Sequence, residues 1–183
     1  MRDAPVLLVF CGDIRRAQRI VGMRGKAYAQ NTLDSFFNAA VDAALAMQSY
    51  VIAAESAGLG CCAISQVRNE MPEVADLLKL PEGVYPVAGL AAGYPREKRD
   101  VTLRLPPTVV VHTDSYDDNG LESEIKAYDA RRNAIRPMRQ LMTDKYGTVA
   151  DYGWSENTAR RLSVPEARAG FRAFLESHGF DLE

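Results

Sequence analysis

The sequence predicts one domain of mixed helices and short buried strands, built around a single long helix and ending in a helical tail. Three observations predict it. The first is the segment Ser35 to Gly60, SFFNAAVDAALAMQSYVIAAESAGLG, which has no proline and holds its glycines to its end. Alanine and leucine favour helix, and the terminal glycines stop it. The second is a set of short, continuously apolar runs bounded by turn residues, the pattern of strands covered on both faces. The third is a change after Gly120, where the apolar residues recur only at helical spacing.

The long helix comes first in importance. From Ser35 to Ser56 it forms a rod of roughly 33 Å at about 1.5 Å per residue. Asn38, Asp42, Ser49 and Ser56 fall on one narrow stripe, and the rest of its circumference is apolar or small. Such a helix is expected to be buried on most sides, as the centre of a globular protein or shared with a partner subunit. Ala39, Ala40, Ala43, Ala44 and Ala46 would admit a second helix closely. The length also suits a membrane span. Asn38, Asp42, Gln48 and Glu55 are spread along it, however, and no charged loop pattern brackets it, so a membrane role is rejected.

The remaining elements follow in order. Pro5 to Cys11 reads as a buried strand, and Asp13 caps a short helix from Ile14 to Val21. Gly22 to Gln30 is a loop, and Asn31, Thr32, Asp34 and Ser35 all offer caps for the long helix. Cys62 to Ile64 is a second strand, left through the turn Ser65-Gln66-Val67-Arg68-Asn69. A helix then starts at Asn69 or Glu70 with Pro72 in its first turn and stops at Pro81-Glu82-Gly83. Val84 to Gly93 is a third strand, whose Gly89, Ala91, Ala92 and Gly93 suggest close approach of another backbone or a flat ligand. Thr108 to His112 is read as a fourth strand or extended arm. In the tail, Leu121, Ile125, Tyr128, Ile135, Met138 and Met142 mark an amphipathic helix that Pro137 kinks or breaks. Arg131, Arg132, Arg136 and Arg139 form its solvated face. Tyr146 to Trp154 is an aromatic loop with Tyr152 and Trp154 as packing anchors, Ser155 caps a turn of helix, and Pro165 opens the last helix. His112 reads as a structural strand-end residue.

Composition excludes several functions. Hydrophobic residues make up 47% and charged residues 25%, so the chain is not disordered. A net charge of −2 argues against nucleic acid or an anionic membrane as partner. Three cysteines, two of them adjacent at Cys61 and Cys62, suit neither a disulfide framework nor a zinc knuckle. They point to a reducing, cytoplasmic compartment, with Cys61 and Cys62 as buried small hydrophobes. The two histidines, His112 and His178, lack metal-ligand spacing. No acid–base pair or nucleophilic triad is present. Residues 1–11 lack the pattern of a signal peptide and run straight into a strand, so the fold is expected to be N-terminally incomplete.

Four stretches, in order, resemble the nitroreductase family, in its branch of NADPH-dependent flavin reductases and oxygen-insensitive nitroreductases. They are Ala53 to Gly60 at the end of the long helix, Ile64 to Asn69, Leu77 to Pro81 through Val87-Ala88-Gly89-Leu90 to Gly93-Tyr94-Pro95, and Arg104-Leu105-Pro106 through Val109-Val110-Val111-His112 to Ser115-Tyr116. The resemblance implies an α+β nitroreductase-like fold: a mixed, mostly antiparallel sheet flanked by helices, with the long helix at its centre. It implies one domain over residues 1–183, with a core at 5–116 and a helical C-terminal extension at 120–183. It further implies a homodimer through the central helix, an FMN cofactor and hydride transfer from NADPH through FMN to a small-molecule electron acceptor. Ile64, Ser65 and Gln66 then line the flavin, and Arg104 contacts its phosphate. Ser65-Gln66 stands where the family has two glycines, Thr102 stands where it has a basic residue, and Lys145 to Trp154 corresponds to its NADPH-gripping loop but contains no arginine. A second reading is a degenerate homologue without flavin turnover that acts as a dimerising or binding protein.

Overall fold

The computed structural model describes residues 4–97, 100–165, 168 and 170–182. It divides into two compact units, residues 1–98 with 167–183, and residues 99–166.

The first unit is built on a three-stranded sheet, β1 (Val6–Asp13), β2 (Gly60–Ile64) and β3 (Val84–Gly93), in the order β1-β3-β2. The class is α+β. Of the mixed sheet expected, the described strands form antiparallel pairs in both cases. β3, the most apolar strand, is central and contains Pro86, which has no N–H for a ladder. The register shifts at that point: Phe10 faces Ala88 and Cys11 faces Pro86, leaving Val87 as the extra residue of a bulge. Gly89 and Gly93 answer the expectation of close approach from within the chain itself. A Cβ on Gly89 would lie 2.9 Å from Val67 Cγ1, and one on Gly93 2.6 Å from Pro5 Cδ.

Helix α1 (Arg15–Met23) starts one residue later than predicted, and Asp13 still caps it by accepting from the Arg16 N–H at 3.1 Å. The long helix is α2 (Leu33–Ser56), and Thr32 is its cap, accepting from the Ser35 N–H. The expectation that α2 is buried on most sides is corrected in this chain. Ala39, Ala43 and Ala54 are buried on the face against the sheet, whereas Phe37, Val41, Leu45 and Ile52 are exposed. At about 100° per residue the two sets lie on separate faces, with Asn38, Asp42 and Ser49 between them. Helix α3 (Met71–Leu78) has Pro72 in its first turn and ends on Lys79 in the left-handed conformation, φ 52°.

The final helix of the chain, α8 (Phe171–Ser177), begins later than the predicted start at Pro165, and residues 166, 167 and 169 lie outside those described. Its Phe174 and Leu175, with Phe180, join Ile14, Ala39, Met71, Ala75 and Tyr85 in one buried cluster.

In the second unit the predicted fourth strand is a short helix, α4 (Pro107–Val110). Pro106 is extended and Pro107 sits in the first turn, where its fixed φ favours helix. The N–H groups of Val109 and Val111 then bond to Pro106 O and Pro107 O at 3.0 and 2.8 Å. These local bonds win over the strand preference of three valines, for which the described residues offer no neighbouring strand. Helix α5 (Leu121–Ile135) ends two residues before Pro137. A single turn, α6 (Thr143–Tyr146), interrupts the tail before α7 (Trp154–Leu162). Ser155 donates through both its N–H and its hydroxyl to Asp129, so the acid on α5, rather than Ser155, satisfies the start of α7.

Candidate functional site

The candidate site is the exit of β2. Ile64 ends the strand opposite Gly89, and the chain turns through Ser65 into a three-residue 3₁₀ turn, Gln66–Arg68. Ile64 is half-buried, and Ser65 and Gln66 are exposed. Neither Ser65 nor Gln66 has a positive φ, so these residues replace glycine without backbone strain. Arg68 N–H donates to Ser65 O at 3.2 Å and Asn69 N–H to Gln66 O at 2.9 Å. The amides of Gln66 and Val67, at the start of the turn, have no partner among the described residues.

Two arginines hold this turn. Arg68 donates to Val87 O, the carbonyl at the bulge beside Pro86. Arg168 donates from Nε to Asn69 Oδ1 at 3.0 Å and from Nη2 to Ser65 Oγ at 3.1 Å and Ser65 O at 3.3 Å. A cavity of about 240 Å³ adjoins them, lined by Arg68, Asn69, Arg168 and Phe171 among others. Arg168 carries no sequence signal, since its partners lie 99 and 103 residues away.

Arg104 lies in the second unit. It is exposed and has no hydrogen-bond or ion-pair partner among the described residues. Its neighbour Leu103 is anchored: the buried Tyr128 donates its hydroxyl to Leu103 O at 3.1 Å. Arg131, Arg136 and Arg139 are exposed, as expected of a solvated face, whereas Arg132 is half-buried.

The aromatic segment of this unit is more tightly organised than its composition suggests. Arg160 is 2% exposed and donates to Glu156 at 2.7 Å, Leu141 O at 2.8 Å and Gly147 O at 2.9 Å. Its guanidinium lies over the rings of Tyr152 and Tyr146, 5.1 and 5.6 Å from their centres. Tyr152 is buried, as predicted, and Trp154 packs edge-on against Tyr128 at 5.5 Å. His112, expected at a strand end, instead follows the short helix α4; its ring lies tilted against Tyr116, and its Nδ1 accepts from the Asp117 N–H.

The three cysteines are free, and among the described residues no group of acidic, histidine or cysteine side chains is arranged to hold a metal. The buried role expected of the adjacent pair is corrected for Cys62, which is exposed, while Cys61 is half-buried. Neighbouring residues of a strand point to opposite faces, so burial of one face cannot cover both.

Residues 1–94 match the nitroreductase family model, and residues 103–183 match the model of the nitroreductase family C-terminal domain. The chain belongs to the nitroreductase family. It is 35% identical over 189 residues to the FMN reductase [NAD(P)H] of Bacillus subtilis, covering 99% of this chain and 71% of that protein. It is 39% identical over 173 residues to the oxygen-insensitive NADPH nitroreductase of Salmonella typhimurium, covering 94% of this chain and 67% of that protein. Among solved structures, NfrA2 of B. megaterium superposes with a TM-score of 0.85 at 33% identity, over 98% of this chain and 70% of that one. The likeness therefore covers residues of both units.

Proposed function

We propose that this chain is an FMN-dependent NAD(P)H oxidoreductase of the nitroreductase and flavin reductase type. The observation that carries the reading is the turn after β2, where the amides of Gln66 and Val67 have no partner among the described residues. A flavin ring presents carbonyl and ring-nitrogen acceptors along one edge, and free N–H groups on a rigid turn match that edge. Ile64 offers an apolar contact, Ser65 and Gln66 form the rim, and the exposed guanidinium of Arg104 suits a phosphate. When bound, FMN supplies the hydride-accepting and hydride-donating chemistry between NADPH and a nitro compound, quinone or free flavin. The chain's residues bind and orient; none of them moves a proton in this reading. One relative is named an FMN reductase [NAD(P)H] and another an oxygen-insensitive NADPH nitroreductase, which supports the same assignment.

The test is direct. Purified protein titrated with FMN is expected to quench flavin fluorescence and to oxidise NADPH when an acceptor is added; protein that leaves FMN fluorescence unchanged rejects the reading. Arg104→Ala is expected to weaken FMN binding by about tenfold, the loss of one charge-assisted contact. Unchanged affinity removes Arg104 from the site.

We further propose a homodimer through α2, with residues 1–183 acting as one nitroreductase-like domain. The outer stripe Phe37, Val41, Leu45 and Ile52 supports it, since Leu45 and Ile52 are each 62% exposed on a helix that already has a separate buried face. By length and composition α2 would also cross a membrane. Asp42 at mid-helix makes a protein partner the better cover for that stripe. Leu45→Asp is expected to shift the sedimentation coefficient from dimer to monomer, and a native chain that sediments as a monomer refutes the proposal. Three free thiols support a reducing, cytoplasmic location.

A further inference from the structure

We infer that Arg168 is a positioning residue that holds the flavin-facing turn in its binding shape. The inference rests on the flavin reading above and adds to it a residue far away in sequence. The turn is weak on its own: it is three residues of 3₁₀ helix, closed by single i→i+3 bonds and exposed at Ser65, Gln66 and Asn69. One guanidinium spans it. Nη2 bonds to the hydroxyl and carbonyl of Ser65 at 3.1 and 3.3 Å, and Nε bonds to the side chain of Asn69 at 3.0 Å. The residue before the turn's first and the residue after its last are thus fixed by the same planar fork. An ammonium cannot reproduce that geometry with both partners at once. From the other side Arg68 ties the turn to Val87 O. The amides of Gln66 and Val67 lie between these fixed points, so their direction is set by the two arginines. Neither arginine need touch the flavin for this to hold.

Arg168 also links the turn to the core. Three residues further on, the chain enters α8, whose Phe174 and Leu175 pack in the buried cluster. The C-terminal segment is in this way both a core element and the brace of the site.

The experiment compares the native chain, Arg168→Ala and Arg168→Lys. Hydrogen exchange of residues 65–69 is measured without flavin, and FMN affinity and the vibronic shoulder of the bound flavin's visible band are measured with it. The expected result for Arg168→Ala is faster exchange at the Arg68 and Asn69 amides, FMN affinity about tenfold weaker and a blurred shoulder, with partial recovery in Arg168→Lys. Exchange unchanged in Arg168→Ala overturns the inference. Faster exchange with unaltered FMN affinity and spectrum also overturns it, because the role is then structural alone. If the native chain binds no FMN, the flavin reading fails separately, and the exchange data still decide whether Arg168 holds the turn. Matching far-ultraviolet circular dichroism in the three proteins separates local loosening from a failure to fold.

Discussion

Tyr85→Ala is expected to lower stability by about 3–5 kcal/mol, the range for removing a buried aromatic side chain. Tyr85 is 1% exposed, and its ring stacks on Phe36 at 4.8 Å and meets Phe180 edge-on at 5.0 Å. Its hydroxyl donates to Phe36 O at 2.6 Å, and burial raises its pKa, so the phenol stays protonated and donating. The side chain therefore joins the central strand, the long helix and the C-terminal segment at one point. Gly12 opposite leaves room for it: a Cβ there would lie 2.5 Å from the ring carbon Cζ. The control is Tyr85→Phe, which keeps the ring contacts and is expected to cost only about 0.5–1.5 kcal/mol for the lost hydrogen bond. Urea unfolding of both variants measures the difference. A Tyr85→Ala loss no greater than that of Tyr85→Phe would place the stability elsewhere.

Arg160→Met is expected to cost about 3–5 kcal/mol, the loss of two charge-assisted hydrogen bonds to carbonyls at about 1.5–3 kcal/mol each, since its partner Glu156 is one-third exposed and adds little. An exposed ion pair would be worth about 1 kcal/mol or less. Two features set Arg160 apart from that case. It is nearly inaccessible, and besides Glu156 it satisfies the carbonyls of Leu141 and Gly147, which would be left without it. Tyr152, under the guanidinium, accepts from Asn157 at 2.9 Å and from the Leu141 N–H at 3.0 Å, so the same loss loosens a wider network. The melting temperature is expected to fall by about 6–20 °C for a chain of this size. Limited proteolysis within residues 141–153 is expected to accelerate in step. A melting temperature within a degree of the native value would reduce Arg160 to a surface ion pair.

Much of the fold could be read from local patterns. Proline, glycine and cap residues set the ends of α2 and α3 to within two residues, and the three apolar runs are the three strands of the sheet. Two local readings failed for identifiable reasons. Thr108 to His112 carries strand-forming valines, but Pro106-Pro107 starts a helical turn first. Ser155 resembles a cap, yet Asp129, 26 residues earlier, satisfies the start of α7. The turn that leaves β2, Ser65 to Asn69, was legible in the sequence. Its supports were not. Arg168 and the Val87 bulge carbonyl act across the fold, and no spacing along the chain announces them.

Periodicity and turn chemistry thus settle what each segment is, because helix and strand preferences depend on neighbours within a few residues. They place a long helix with a polar stripe, a central apolar strand and an exposed turn after β2. Which segments meet is a different matter, since apolar surfaces attract without regard to sequence distance. Folding brings Phe174, Leu175 and Phe180 against Tyr85, and sets Arg168 across the turn at Ser65 and Asn69. A directional hydrogen bond between residues 103 apart has no trace in local composition. It exists once the core has closed and fixed both ends.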